Sequence, residues 1–190
     1  MTARYPRLGR PCAMLVTLLL MPGCVATQQE PAASFSTITK TGDINNALRG
    51  VKRVSLHPSA RLVGPAADRS PDRLRADTDA ALLAEFRSHG YEIAPAGEGD
   101  IEVAYAIGLS SVFEDEALYG IFGLAPGLGS DASESRGAIV LALYDSRLGV
   151  VTWRGGMSRQ VDEDGFDDVE RRRRITDALR RVLDGMQDRQ

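Results

Sequence analysis

From Val51 onward the apolar residues recur with two different periods, and the switches between them mark the elements. Val51-Lys52-Arg53-Val54-Ser55-Leu56-His57 has the alternation of a strand and is expected to stop at Pro58, which cannot extend a central ladder. Residues 59–69 are expected to form a loop. Ser70-Pro71-Asp72 then offers an N-cap, a proline at the first helical position and an early acid, which together predict a helix start. Leu74, Thr78, Ala81, Leu82 and Phe86 supply one apolar stripe at helical spacing, and His89-Gly90 ends it, with Gly90 free to take the left-handed cap conformation.

Residues 91–94 read as a short strand and residues 101–109 as a longer one. In the longer one Ile101, Val103, Tyr105, Ile107 and Leu109 share a face, while Ala and Gly on the other face imply close covering or a bend. Residues 138–144 are apolar on both faces and read as a central strand. Asp145-Ser146-Arg147-Leu148-Gly149 has turn chemistry, so residues 150–153 begin the return strand of a hairpin, with Gly155-Gly156 expected as a bulge. A final helix over about 167–186 carries Ile175, Ala178, Leu179, Val182, Leu183 and Met186 on one stripe. Its pairs Asp167–Arg171, Asp168–Arg172 and Glu170–Arg174 are spaced for i,i+4 contacts. The order predicts an α+β fold: a single mostly antiparallel sheet of about four or five strands, with two amphipathic helices on one face.

The first residues have a different pattern. Arg4, Arg7 and Arg10, with no acid among them, precede an apolar run over residues 12–21, the length of a secretory core and about half of a membrane span. The run ends in Leu18-Leu19-Leu20-Met21-Pro22-Gly23-Cys24, which resembles a bacterial lipoprotein signal. That resemblance implies cleavage between Gly23 and Cys24 and a diacylglyceryl group on the Cys24 thiol, although Met21 and Pro22 stand where Leu and Ala or Ser are usual. An ordinary cleaved signal, or a short retained anchor, is the alternative. The implied organisation is a signal over 1–23, a lipidated cysteine and flexible tether over 24–47, and a folded domain over 48–190. The tether is rich in Ala, Ser, Thr and Gln, and seventeen such residues reach roughly 20–25 Å as a coil. Val25 rather than Asp after the cysteine implies, by resemblance to enteric lipoproteins, an outer-membrane anchor facing the periplasm.

Charge and cysteine content narrow the function classes. Removing the first 23 of 190 residues leaves 167, enough for one ordinary core, with 20 basic against 26 acidic side chains and a net charge of −6. A net-acidic domain is a poor partner for nucleic acid or for anionic lipid headgroups. Both cysteines, Cys12 and Cys24, precede the domain, which therefore has no thiol nucleophile and no thiolate metal site.

Several stretches resemble an uncharacterised family of Gram-negative envelope lipoproteins, domain of unknown function four-one-three-six. They are Glu85-Phe86-Arg87-Ser88-His89-Gly90-Tyr91, Asp100-Ile101-Glu102-Val103-Ala104-Tyr105, the hairpin from Leu143 through Trp153 to Gly155, and the last helix. The resemblance implies an α+β periplasmic domain with no assigned reaction. The strand through Val51 and Leu56 has a looser likeness to envelope assembly and export lipoproteins, such as those of curli secretion and exopolysaccharide export.

Four stretches invite chemistry. The acids Asp162, Asp164 and Asp168 around Gly165 fall at calcium-loop spacing, but Gln160 and Arg171 occupy the first and last ligand positions, so a helix N-terminus with dipole-favoured acids is the simpler reading. The Gly-rich stretch over 120–129 lacks the Lys-Ser/Thr of a phosphate loop. Its apolar residues Leu118, Tyr119, Ile121, Phe122, Leu124 and Leu128 lie in a connection over about 114–135, long enough to be a contact surface for a partner or a bilayer, or else a cap over the sheet. Arg171 to Arg174 read as a solvated helix face, since acids precede them. His57 and His89 have no metal-site pattern, and no Gly-x-Ser-x-Gly elbow is present. The expectation is a non-enzymatic binding or accessory module without metal or cofactor. It would be held to the membrane through Cys24 and would act with an envelope protein partner. An envelope hydrolase of cell-wall or lipid material, or a ring-forming export lipoprotein that assembles as a homo-oligomer, stands as the alternative.

Overall fold

The computed structural model describes residues 36–64, 71–109, 119, 122–123, 136–160 and 167–189. In chain order these give strand β1 (Ser36–Thr41), helix α1 (Ile44–Ala47), β2 (Arg53–Val63), α2 (Pro71–Ser88) and β3 (Glu92–Ile93). Then follow β4 (Ile101–Leu109), β5 (Arg136–Asp145), β6 (Val150–Gln160) and a last helix, α3 (Asp168–Leu183). The strands form one mixed sheet in the order β1-β6-β5-β4-β2-β3. Strands β4, β5, β6 and β1 are joined by antiparallel pairings, whereas β2 runs parallel to both β3 and β4.

The α+β class stands, but the sheet has six strands rather than four or five, and its β4-β2-β3 side is parallel. One short strand, β1, accounts for the count. Strand β1 and helix α1 lie within the stretch expected to be tether, so residues from Ser36 belong to the fold as well as those from residue 48. Strand β1 is Ser-Thr-rich with one apolar residue, Ile38, and it borders β6 alone, which is why its hydrophobic signal is faint. Asp43 caps α1 by accepting hydrogen bonds from the amides of Asn45 at 2.9 Å and Asn46 at 3.3 Å.

The β2 strand corrects a second expectation. It continues through Pro58 to Val63, with its register against β4 shifting between Leu56 and Arg61. The irregularity is what accommodates a proline that lacks a ladder donor. Nδ1 of His57 accepts hydrogen bonds from the amides of Ser59 at 3.2 Å and Ala60 at 3.0 Å, so the side chain before the proline caps donors that the bulge detaches from the ladder.

Helix α2 buries Leu74, Thr78, Leu82 and Phe86, the expected stripe. It closes in a Schellman motif. The Tyr91 amide donates to the Phe86 carbonyl at 3.1 Å and the Gly90 amide to the Arg87 carbonyl at 3.0 Å, with Gly90 at φ 85°. The Phe86 and Tyr91 rings meet edge to face at 5.9 Å across that cap. Helix α3 starts at the N-cap Asp167, whose carboxylate accepts from Val169 and Glu170, and it buries Ile175, Leu179, Val182 and Leu183. Three ion pairs staple the two helices together: Arg73–Asp168 at 3.2 Å, Asp77–Arg171 at 2.8 Å and Glu85–Arg180 at 3.2 Å.

Both helices cover one face of the sheet. Their stripes meet Val54 and Leu56 of β2, Ile101, Val103, Tyr105 and Ile107 of β4, and Ile139, Leu141 and Leu143 of β5 in one core, with Trp153 and Met157 of β6. Burial of each large side chain there contributes about 1.5–3 kcal/mol. The hairpin turn forms as its residues require: Asp145 Oδ1 accepts from the amides of Arg147 at 2.9 Å and Leu148 at 3.1 Å. The expected bulge at Gly155-Gly156 is displaced. Those glycines pair regularly with Leu141 and Val140, and the register shifts instead between Leu143 and Tyr144, which face Trp153 and Val151 and leave Thr152 as the extra residue.

Candidate functional site

The sheet face away from the helices has an apolar centre of small side chains. Ala104 and Ala106 of β4 and Val140 and Ala142 of β5 lie there, with Ala60, Leu62 and Val151 packed at the margin. Phe122 fills this shallow floor and is completely buried. The close covering expected over the Ala-Gly face of residues 101–109 is therefore supplied by an aromatic ring from the long connection. Gly123 follows at φ 63°, and a Cβ there would stand 2.8 Å from Nε of Arg154 on β6, so glycine lets the backbone close down beside that guanidinium.

The six apolar residues of the candidate contact stretch separate accordingly. Phe122 faces inward and anchors the segment to the sheet, whereas Tyr119 is 66% exposed. Leu118, Ile121, Leu124 and Leu128 lie outside the described residues, as do Gly23 and Cys24.

At the hairpin end of the same face a second, polar group forms. His57 of β2 lies 3.8 Å through Nε2 from Oε2 of Glu102 on β4, and its ring meets Tyr144 of β5 edge to face at 5.7 Å. Glu102 is buried. Two amides donate to Nδ1, so the hydrogen-bond pattern puts the imidazole proton on Nε2, toward Glu102. Glu102 escaped the sequence reading because it is a single acid among small residues on a face whose covering shows only in three dimensions.

His89 is also a structural group. Its Nδ1 is 2.9 Å from Asp188 Oδ1 and its Nε2 is 3.6 Å from Glu85, while its carbonyl accepts from the Arg189 amide at 2.9 Å. The ring thus joins the end of α2 to the C-terminal segment.

The acidic and basic runs around α3 resolve into capping and pairing. Asp162 and Asp164 lie outside the described residues, Asp167 is the N-cap, and Asp168 meets Arg73 and Arg171. Arg171 is largely covered, with side-chain exposure of 11%, and donates twice to Asp77, so it is a helix-helix contact rather than part of a solvated face. Arg173 and Arg174 both bind Glu170, and their hydrogen bonds hold its carboxyl down at about 2. The i,i+4 pairing expected for Glu170 is observed at 2.7 Å, while Asp167 caps the helix instead of pairing with Arg171. Among the described residues no three His, Cys, Asp or Glu side chains are grouped to hold a metal, and no helix is long and apolar enough to cross a membrane.

No family model and no curated protein matches the chain. Solved structures do. A point variant of PelC from Paraburkholderia phytofirmans, solved as a dodecamer, matches with TM-score 0.50 and 16% identity, over 82% of this chain and 100% of that one. A DUF4136 family protein from Bacteroides thetaiotaomicron matches with TM-score 0.49 and 11% identity, over 77% of this chain and 95% of that one. At these identities the likeness is one of fold: a six-stranded mixed sheet carrying its helices on one face, similar to that of PelC.

Proposed function

We propose that the chain is a lipid-anchored lipoprotein of the cell envelope whose domain works by binding rather than by catalysis. The observation that carries this reading is the order of Arg4, Arg7 and Arg10, the apolar run over 12–21, and Gly23-Cys24. Acylated Cys24 fixes the chain to the outer membrane on its periplasmic side. Residues 25–35 then separate the anchor from β1, a shorter spacer than the sequence alone suggested.

The domain side of the proposal is supported by the employment of its polar groups. His57 caps the bulge and His89 holds the C-terminal segment. Both histidines thereby serve the fold, so neither stands free as the base that a histidine-dependent hydrolase would use. The likeness to a protein that forms dodecamers supports self-association as the way this module builds its working surface.

Three measurements test the reading. In intact cells Cys24→Ser is expected to abolish palmitate labelling and to release the protein from membranes; persistent labelling or retention would refute the anchor. Light scattering of the detergent-solubilised full-length protein is expected to report a defined oligomer, and a monomer at every concentration would remove the assembly reading. Photo-crosslinking from exposed Tyr119 in cells then separates a protein neighbour from a lipid one.

A further inference from the structure

The C-terminal segment closes a groove that none of these roles uses. Residues after α3 fold back across the chain between α1 and the end of α2. Asn45 clamps them with both ends of its side chain, donating to the Gly185 carbonyl at 3.0 Å and accepting from the Gln187 amide at 3.0 Å. The Arg189 amide is tied to His89. Between this segment and residues 48–52 lies a cavity of about 420 Å³, the size of a small-molecule site.

Its lining is chemically lopsided. Arg49, Lys52 and Arg189 converge on it, and Asp188 is the single carboxylate in its wall. Asp188 is already engaged with His89 Nδ1 at 2.9 Å. Among the described residues Lys52 and Arg49 have no carboxylate partner, Arg49 donating to Asn46 Oδ1 at 2.6 Å. Arg189 meets Glu92 at 3.6 Å. The Lys52 amide is held away by Asp100, which fixes the backbone from which its side chain starts. Leu48, Val51 and Tyr91, all buried, supply an apolar wall. Burial pushes the Tyr91 phenol up, so it stays a hydroxyl donor at neutral pH. Gly50 takes φ 75° with no atom within 4 Å of where a Cβ would stand, which leaves that side of the groove open.

We propose that this groove binds a small organic anion, its carboxylate or phosphate held by Arg49, Lys52 and Arg189 and its apolar body laid on Leu48, Val51 and Tyr91. Asp188 is engaged by His89 and Glu92 by Arg189, which leaves Arg49 and Lys52 as a local positive excess in a chain whose mature charge is −6, and an anionic ligand is what would neutralise it. Arg49 and Lys52 stand on the connection from α1 to β2 and Arg189 on the C-terminal segment, whose backbone Asn45 and His89 tie to the fold beside them.

The test uses the acylated mature protein in detergent, titrated with sodium benzoate and with inorganic phosphate by calorimetry. Saturable binding of one probe is expected, and Arg49→Ala with Lys52→Ala should weaken it about tenfold or more, as loss of charge-assisted hydrogen bonds requires. Preference for benzoate marks a carboxylate on an apolar body; preference for phosphate marks a phosphoester. Arg49→Lys with Lys52→Arg keeps the charge and is expected to retain binding. In the unmutated protein, amide shifts induced by the probe should centre on Gly50, Lys52 and Arg189, a readout independent of whether the variants fold. No saturable heat with either probe, equal affinity in the alanine variant, or shifts centred elsewhere would each overturn the proposal.

Discussion

The phenol of Tyr105 on β4 donates a hydrogen bond to Oδ1 of Asp79 on α2 at 2.6 Å. The other oxygen of Asp79 takes Arg61 of β2 at 2.9 Å. One carboxylate therefore ties two strands and a helix across the main core, and Tyr105 is wholly buried there. Tyr105→Phe keeps the ring and removes the donor, so it should cost about 1–2 kcal/mol, read as a lower urea midpoint with an unchanged slope. The same bond predicts alkaline behaviour. Burial, then the Asp79 contact, raises the Tyr105 phenol above its ordinary value of 10.0. A group raised in the folded state contributes stability that is complete below its unfolded pKa and is lost as pH climbs past it. Stability should fall above about pH 10, and Tyr105→Phe should make that fall shallower, leaving the smaller part due to Tyr91.

His57 is expected to matter for stability through its acceptor rather than its charge. Its Nδ1 satisfies the Ser59 and Ala60 amides where β2 departs from regular pairing. His57→Ala should cost about 1–2 kcal/mol. It should also speed hydrogen exchange at those two amides while leaving those of β5 protected. Uniform acceleration across the sheet would show that the ring acts through packing against Tyr144 instead.

Legibility in the sequence followed the strength of the apolar period. Helices α2 and α3 and strand β4 are readable because Leu74 to Phe86, Ile175 to Leu183 and Ile101 to Ile107 each bury a full stripe, and β5 because both its faces are apolar and buried. Strand β1 is not, because an edge strand with one apolar residue looks like a polar linker. Pro58 misled for a related reason: the compensation for its missing donor lies in the His57 ring, a contact between near neighbours that no periodicity records. The site residues show the same division. Phe122 could be singled out as apolar in a long connection, but only the floor made by Ala104, Ala106, Val140 and Ala142 shows that it faces inward. The cationic groove was invisible, since Arg49 and Lys52 meet Arg189 across most of the chain length.

Asp100 should set part of the acid limb of stability. Its Oδ2 accepts from the amides of Arg53 at 2.9 Å and Lys52 at 3.0 Å, and those two bonds, Arg53 first, hold its carboxyl below the ordinary value of 3.8. A depressed folded-state pKa means stability that is present above the unfolded value and is lost as pH falls through the folded one. Asp100→Asn keeps an acceptor but no charge. Its stability-pH curve should therefore run flatter below about pH 4, while Asp100→Ala should lose about 1–2 kcal/mol at neutral pH. Parallel acid limbs in wild type and Asp100→Asn would show that another carboxylate sets the slope.

Gly155 is where packing leaves least room. It lies two residues from Trp153 on the same face of β6, and a Cβ built there would come within 2.4 Å of Trp153 Cη2 and 2.9 Å of Val182 Cγ1. The indole thus lies across a bare backbone, with helix α3 closing over it. Gly155→Ala should cost about 1–3 kcal/mol through overpacking, against the usual gain from a stiffer unfolded chain. The cause can be isolated by repeating the change in a Trp153→Leu background. Leucine does not reach over residue 155, so there Gly155→Ala should cost less, by about 0.5–3 kcal/mol of coupling. Equal costs in both backgrounds would mean that the strand backbone or Val182, rather than the indole, demands the glycine.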